Sequence, residues 1–171
     1  MVSVFNAATI AKVDLFSGAL PARYGNALSA VIDIETRPAR TDTWHGLLDT
    51  NLLYTEALVH GSLGPSAGLS FAGRRSYLDV VLGPLLAGYI PAGTVLPVFT
   101  DYQGKFTLQL PGSGQVDLVG IGANDSARIV LAGGGVGRGI GEVALDQGYS
   151  STGVVWRQPI GDTTSSRFTV N

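Results

Sequence analysis

The chain contains no cysteine, which excludes disulfide frameworks, thiolate metal sites and cysteine nucleophiles. It is also poor in charge: 14% of its 171 residues are Asp, Glu, Lys or Arg, against about 25% in an average soluble domain. Eleven basic and thirteen acidic residues leave a formal net charge of -2, too weak a field to draw in nucleic acid or an anionic membrane surface. Long apolar runs are missing as well. The nearest, residues 80–98, is broken by three glycines and three prolines, so no α-helical membrane span is expected. The first six residues lack the basic and apolar regions of a secretory signal.

What is present is apolar and glycine-rich: 45% hydrophobic residues, 24 glycines and eight prolines. Glycine at roughly twice its ordinary usage of about 7% disfavours long helices. A mean hydropathy of +0.27 without a spanning helix suits a β-barrel wall whose outer face meets lipid.

From Tyr102 the residues alternate, with Tyr102, Gly104, Phe106, Leu108 and Leu110 on one face and Gln103, Lys105, Thr107 and Gln109 on the other. Period two predicts a strand. Pro111-Gly112-Ser113-Gly114 has turn chemistry and residues 115–121 resume in extended style, which predicts a hairpin. Residues 153–158 set Val154 and Trp156 against Val155 and Arg157, turn at 159–162, and return with Phe168 and Val170 opposed by Arg167 and Thr169. Further strands are expected at 44–54, 57–63 and 68–74, with a tight link near Thr55-Glu56. The total is seven. A short helix is expected at 78–87, inside an apolar connection that could cover a ligand.

Short connections at 64–67, 111–114 and 159–163 take turns with long ones at 77–100 and 123–148. Outer-membrane barrels have this asymmetry between tight periplasmic turns and long extracellular loops. A lysine or arginine on the lipid face at mid-membrane costs about 2 to 4 kcal/mol, and Lys105, Arg157 and Arg167 all fall on the polar face. Arg74 and Arg75 must point opposite ways. Arg74, Lys105, Arg157 and Arg167 are therefore the candidates to face a wet lumen, and Tyr77 suits an aromatic girdle at the membrane edge.

Residues 1–40 are built differently. A short helix at 6–11 capped by Asn6 leads into an apolar strand at 13–16, and after the turn-like Pro21-Ala22-Arg23-Tyr24-Gly25 a second strand covers 30–36. Residues 38–42 then link this part to the strands. Gly18 and Gly25 are read as admitting backbone angles that side chains forbid, and Arg23 and Tyr24 as hydrogen-bonding across a wet wall.

The run Ile10-Ala11-Lys12-Val13-Asp14-Leu15-Phe16-Ser17-Gly18, then Pro21-Ala22-Arg23-Tyr24-Gly25, then Ser29-Ala30-Val31-Ile32-Asp33-Ile34-Glu35-Thr36-Arg37, resembles the C-terminal part of the plug domain of TonB-dependent outer-membrane receptors. The runs 73–79 and 101–105 look like early barrel segments of the same family. The resemblance implies a mainly β fold: the end of an α+β plug domain at 1–40, then at 41–171 a partial transmembrane antiparallel β-barrel of about seven strands. Gly18, Arg23, Tyr24 and Gly25 carry the plug motif. A complete plugged barrel has about 22 strands, so the chain reads as a fragment of one.

The implied function is energy-coupled uptake across the outer membrane of a Gram-negative cell. The implied partners are outer-membrane lipid, the TonB energy-transducing complex acting through a segment before residue 1, and a small ligand such as a siderophore, vitamin, peptide or glycan. No cofactor and no chemistry on the ligand are implied. The alternative is a soluble or secreted β-sandwich that binds or adheres through an exposed face; such a sandwich buries its apolar face and needs no long-short alternation of loops.

Other chemistry reads weakly. His45 and His60 are the only histidines; a metal would require them to meet across the first hairpin, and they are read as lining a wet interior, with no metal. Gly133, Gly134, Gly135, Gly137, Gly139 and Gly141 fit no dinucleotide or phosphate-loop spacing and read as an outer loop. Asp101, Asp117 and Asp125 are placed at strand ends. Ser62, Ser70 and Ser76 lack nucleophile-elbow surroundings, so an enzyme is not expected.

Overall fold

The computed structural model describes residues 6–18, 20, 24–25, 29–39, 42–91, 94–131, 141–161 and 164–170. They are mainly β. Strands β1 (Ile10–Ser17) and β2 (Ala30–Thr36) form a two-stranded antiparallel sheet. A seven-stranded antiparallel sheet follows, made of β3 (His45–Thr50), β4 (Tyr54–Ser62), β5 (Ala67–Ser76), β6 (Val95–Gln109), β7 (Gln115–Leu131), β8 (Gly141–Ile160) and β9 (Thr164–Val170). Each strand pairs with its neighbours in sequence, and β3 and β9 are the two edges. Among the described residues the sheet does not close.

Sequence-adjacent pairing follows from short reversals. At Pro111–Ser113 the chain makes one 3-10 turn in which Gly112 takes a φ of +72°, a left-handed angle at which a Cβ is strained. The long β5–β6 connection carries helix α1 (Leu78–Leu86), close to its expected extent. The expected helix at 6–11 is shorter: a 3-10 turn at Ala7–Thr9, with the Asn6 side chain accepting from the Ala8 N–H as a cap. The chain is already extended at Ile10, where β-branched residues favour strand.

Three expectations about boundaries are corrected. The tight link lies at residues 51–53 rather than Thr55-Glu56, where the Asn51 amide oxygen accepts from the N–H groups of Leu53 and Tyr54. Asp101, Asp117 and Asp125 stand inside β6 and β7, not at strand ends. The expected loop at 123–148 is largely strand, because β7 and β8 stay in one register from Gln115↔Arg157 to Leu131↔Gly141. Along that stretch Ala127, Ile129, Val143 and Leu145 share one face and Ser126, Arg128, Glu142 and Asp146 the other, so the apolar side changes while the backbone ladder continues. Of the glycine cluster, Gly141 opens β8, and Gly133, Gly134, Gly135, Gly137 and Gly139 lie outside the described residues.

In the rows nearer the β6–β7 and β8–β9 turns the large sheet has one apolar and one polar face, since directly opposed residues on antiparallel strands share a side. One row joins Leu69, Phe106, Leu118, Val154 and Val170, and the next joins Leu108, Val116, Trp156 and Phe168. These face solvent, with Phe168 62% exposed. The other face carries Glu56, Arg74 and Asp101 in one row and His60, Ser70 and Lys105 in another. Burial is inverted relative to an ordinary core. Arg74, Asp101, Gln103, Thr107 and Asp117 are buried, whereas Leu48 is 74% exposed.

The apolar band also runs obliquely. The row through Leu48, Ala57, Gly73, Tyr102 and Gly122 ends in polar Ser150 on β8, and the row below it ends in Thr152. Apolar side chains therefore reach farther toward the loop-bearing end on β3 than on β8.

Candidate functional site

The two-stranded sheet lies against the polar face of the large one. The Thr9 hydroxyl donates to Gln103 Oε1 at 2.8 Å, and Lys105 Nζ donates to Thr36 Oγ1 at 3.3 Å and to the Arg37 carbonyl at 3.5 Å. These contacts are polar. The apolar stripe of the small sheet, Val13, Leu15 and Ile32, stays exposed. Elsewhere on this sheet Lys12 sits 2.6 Å from Asp14, whose hydrogen bond and charge hold the ammonium above its ordinary value.

Between the sheets is a cavity of about 470 Å³. Asp33, Ile34, Glu35 and Thr36 of β2 form one wall, and Lys105, Gln115, Arg157 and Arg167 with three apolar residues form the other. Lys105, Arg157 and Arg167 all line this one space. Arg157 and Arg167 stand directly opposite each other on β8 and β9. Two like charges in that relationship repel, so a carboxylate beside one of them is required.

Asp117 supplies it. At 1% exposure its carboxylate accepts from Thr107 Oγ1 at 2.6 Å, from Gln115 Nε2 at 2.8 Å and from Arg157 Nη1, while Lys105 Nζ stands 4.0 Å away. A buried carboxylate persists only with such partners. The sequence placed Asp117 at the end of a strand and missed this role; the signal that could have found it is the period-two face shared by Gln115, Asp117 and, across the turn, Thr107.

Closer to the loop-bearing end, Arg74 and Asp101 make the second buried pair. The Arg74 guanidinium carbon lies 5.4 Å from the Tyr54 ring centre and 5.2 Å from that of Phe99, a cation–π arrangement between two aromatic faces. Arg75 points to the opposite side and is exposed, as adjacency in a strand demands. Tyr77 follows β5 directly. Its hydroxyl donates to the carbonyls of Asn51 and Tyr54 and so ties the β3–β4 link to the start of α1.

The plug-motif residues divide. Gly18 holds a φ of +91°, the freedom expected of it. Gly25 is not among the glycines with positive φ, so that expectation is corrected: its backbone takes an angle open to any residue. The Tyr24 hydroxyl donates to Asp33 Oδ2 and its ring lies 5.6 Å from Phe16, which braces the small sheet internally. Arg23 lies outside the described residues.

His45 and His60 do meet, as a direct cross-strand pair with rings stacked at 5.2 Å. Among the described residues no group of three or more His, Cys, Asp or Glu is placed to hold a metal. The run Gly64-Pro65-Ser66-Ala67-Gly68 has the spelling of a nucleophile elbow, which needs a strand-turn-helix setting. Here it joins two antiparallel strands, β4 and β5, so that setting is missing.

No model of a known protein family matches the chain, and no curated protein or solved structure matches it.

Proposed function

We propose that the chain is part of a TonB-dependent outer-membrane receptor: the end of the plug at 1–40, then at 41–171 seven consecutive strands of the barrel. On this reading the apolar face meets lipid, the polar face lines the lumen, and the small sheet is plug material seated inside. The receptor takes up a small ligand with energy passed through TonB, and performs no chemistry on it.

The observation that carries the reading is the inverted polarity of the large sheet. Charged Arg74, Asp101 and Asp117 are buried on the side that holds the small sheet, and Leu48, Phe71, Leu118, Trp156 and Phe168 are bare on the other. In water that much exposed apolar area on one sheet is an association hazard; in lipid it is the required surface. The slant of the band supports it, because barrel strands tilt by about 35–45° and a level membrane then crosses each strand at a different residue. A soluble sandwich needs a second sheet over the apolar face. Among the described residues the other sheet lies on the polar side instead.

The absence of native cysteine makes the test direct. Single cysteines at 116, 118, 154 and 156, and at 119, 121 and 155, would be spin-labelled after reconstitution into vesicles. The even set is expected to be accessible to oxygen dissolved in lipid and the odd set to a water-soluble nickel complex. A monodisperse chain in buffer without lipid, with the even set protected, sinks the receptor reading and favours the sandwich.

A further inference from the structure

The chain coming from the small sheet joins the large one at His45, the first residue of β3. Among the described residues β4 is the one neighbour of β3, and all six residues of β3 are exposed. Beside the backbone ladder, two side-chain contacts hold this end of β3 to β4, one on each face of the sheet. On the apolar face the Trp44 ring lies over Gly61, so close that a Cβ there would stand 2.5 Å from it. On the polar face His45 and His60 are direct cross-strand partners, and their rings stack 5.2 Å apart and 23° from parallel.

Protonation changes the histidine pair. Neutral rings stack without penalty, whereas like charges directly opposite each other on neighbouring strands repel. A charged imidazole must also donate through both nitrogens. His60 Nδ1 is buried with no hydrogen-bond partner among the described residues, so a proton there is a buried donor left unsatisfied. His45 is exposed, and its Nε2 lies 3.1 Å from the Thr43 hydroxyl.

The charges around the pair do not relieve it. Beyond Ser70 on β5 the same row carries Lys105 on β6, and on the small-sheet side the Arg37 guanidinium also acts on His60. Asp49, Glu56 and Arg74 share a row four residues along the same face, about 13 Å away and beyond the screening length of about 8–10 Å. Asp42 precedes β3 and is exposed. Among the described residues no carboxylate forms an ion pair with either ring.

We propose that the His45–His60 pair is an acid-sensitive catch at the junction between the two sheets: neutral, the rings stack and hold the start of β3 on β4; charged, they part and that end of the ladder opens. Opening gives His60 Nδ1 access to water, so the open form binds protons more readily than the closed one and acid favours it. Histidine ordinarily changes charge near about pH 6.5, so the catch works between about pH 7 and 5. The chain reaches the small sheet through this end of β3, and its release lengthens that tether. The inference uses no part of the receptor reading and stands or falls separately from it.

The test follows amide exchange in the full chain in zwitterionic detergent, corrected for the intrinsic effect of pH on exchange. From about pH 7.5 to about pH 5.5, exchange at residues 45–48 and 57–60 is expected to speed up about fivefold or more, with the β6–β7 ladder unchanged. His45→Gln and His60→Gln keep a planar polar group that takes no proton, and each should remove the response. In the unaltered chain its midpoint should coincide with the titration of a histidine ring signal by NMR, and the chain has two histidines to follow. Loosening that is absent, that extends equally to the β6–β7 ladder, or that persists in a folded Gln variant overturns the proposal, as does a midpoint that matches neither ring. The comparison of midpoints on the unaltered chain decides the matter even if neither variant folds.

Discussion

Arg74 and Asp101 face each other across the β5–β6 ladder, and the guanidinium donates through Nε at 2.8 Å and Nη2 at 2.7 Å to the same carboxylate oxygen, Oδ2. The side chains are 9% and 3% exposed. Removing one partner from a buried pair strands the other, at a cost of about 3–5 kcal/mol. Arg74→Ala and Asp101→Ala are each expected to lose that much in denaturant unfolding. Replacing both at once, Arg74→Met with Asp101→Leu, should recover most of it. A double variant as unstable as the singles would show that the loss is the pair's own net contribution and not the cost of a stranded charge.

Leu118 and Ile121 lie three residues apart on β7 and on opposite faces. Leu118→Arg places a cation on the apolar face, where a lipid environment penalises it by about 2–4 kcal/mol. Ile121→Arg points into the cavity beside the small sheet and is expected to cost about 1 kcal/mol or less, since lumen positions tolerate charge. Unfolding from vesicles by urea measures both. Equal penalties contradict the assignment of faces.

Lys105 is the side chain of the large sheet that reaches both Thr36 and the Arg37 carbonyl. Lys105→Met keeps the stem and removes three donors. Each bond is worth about 0.5–1.5 kcal/mol net, so amide exchange in β1 and β2 should speed up about tenfold. Exchange in the β6–β7 ladder should stay unchanged. Acceleration spread evenly over both sheets would mean that the lysine supports the large sheet and does not dock the small one.

Gly18 and Gly25 test the difference between a required glycine and an incidental one. Gly18→Ala must place a Cβ at a φ of +91° and is expected to destabilise the small sheet by about 1–2 kcal/mol. Gly25→Ala meets nothing within 4 Å and no left-handed angle, so thermal unfolding should shift by no more than about 0.5 kcal/mol.

Alternation along the chain was enough to read seven strands and to assign Lys105, Arg157 and Arg167 to the polar side, because side-chain direction in a strand depends on sequence parity alone. Turn residues likewise marked most reversals, and the apolar run after Tyr77 marked α1. Along 124–131 and 141–150 the apolar parity changes sides, putting Ala127, Ile129, Val143 and Leu145 on the face that carries Asp117 nearer the turn, so alternation did not read there as a continuation of the same strands. There the continued β7–β8 ladder was invisible until the backbone partners were known.

What only the tertiary structure decided is register. Turn geometry sets which residues stand opposite each other, and it brought Thr107 and Arg157 onto Asp117, Arg74 onto Asp101, and His45 onto His60. Those partners are 10 to 40 residues apart, and no local pattern encodes the distance between them. The sequence by itself determined which side is polar along the strands whose alternation is regular. The placing of the small sheet against that polar side came from contacts between segments that hydrophobic periodicity treats independently.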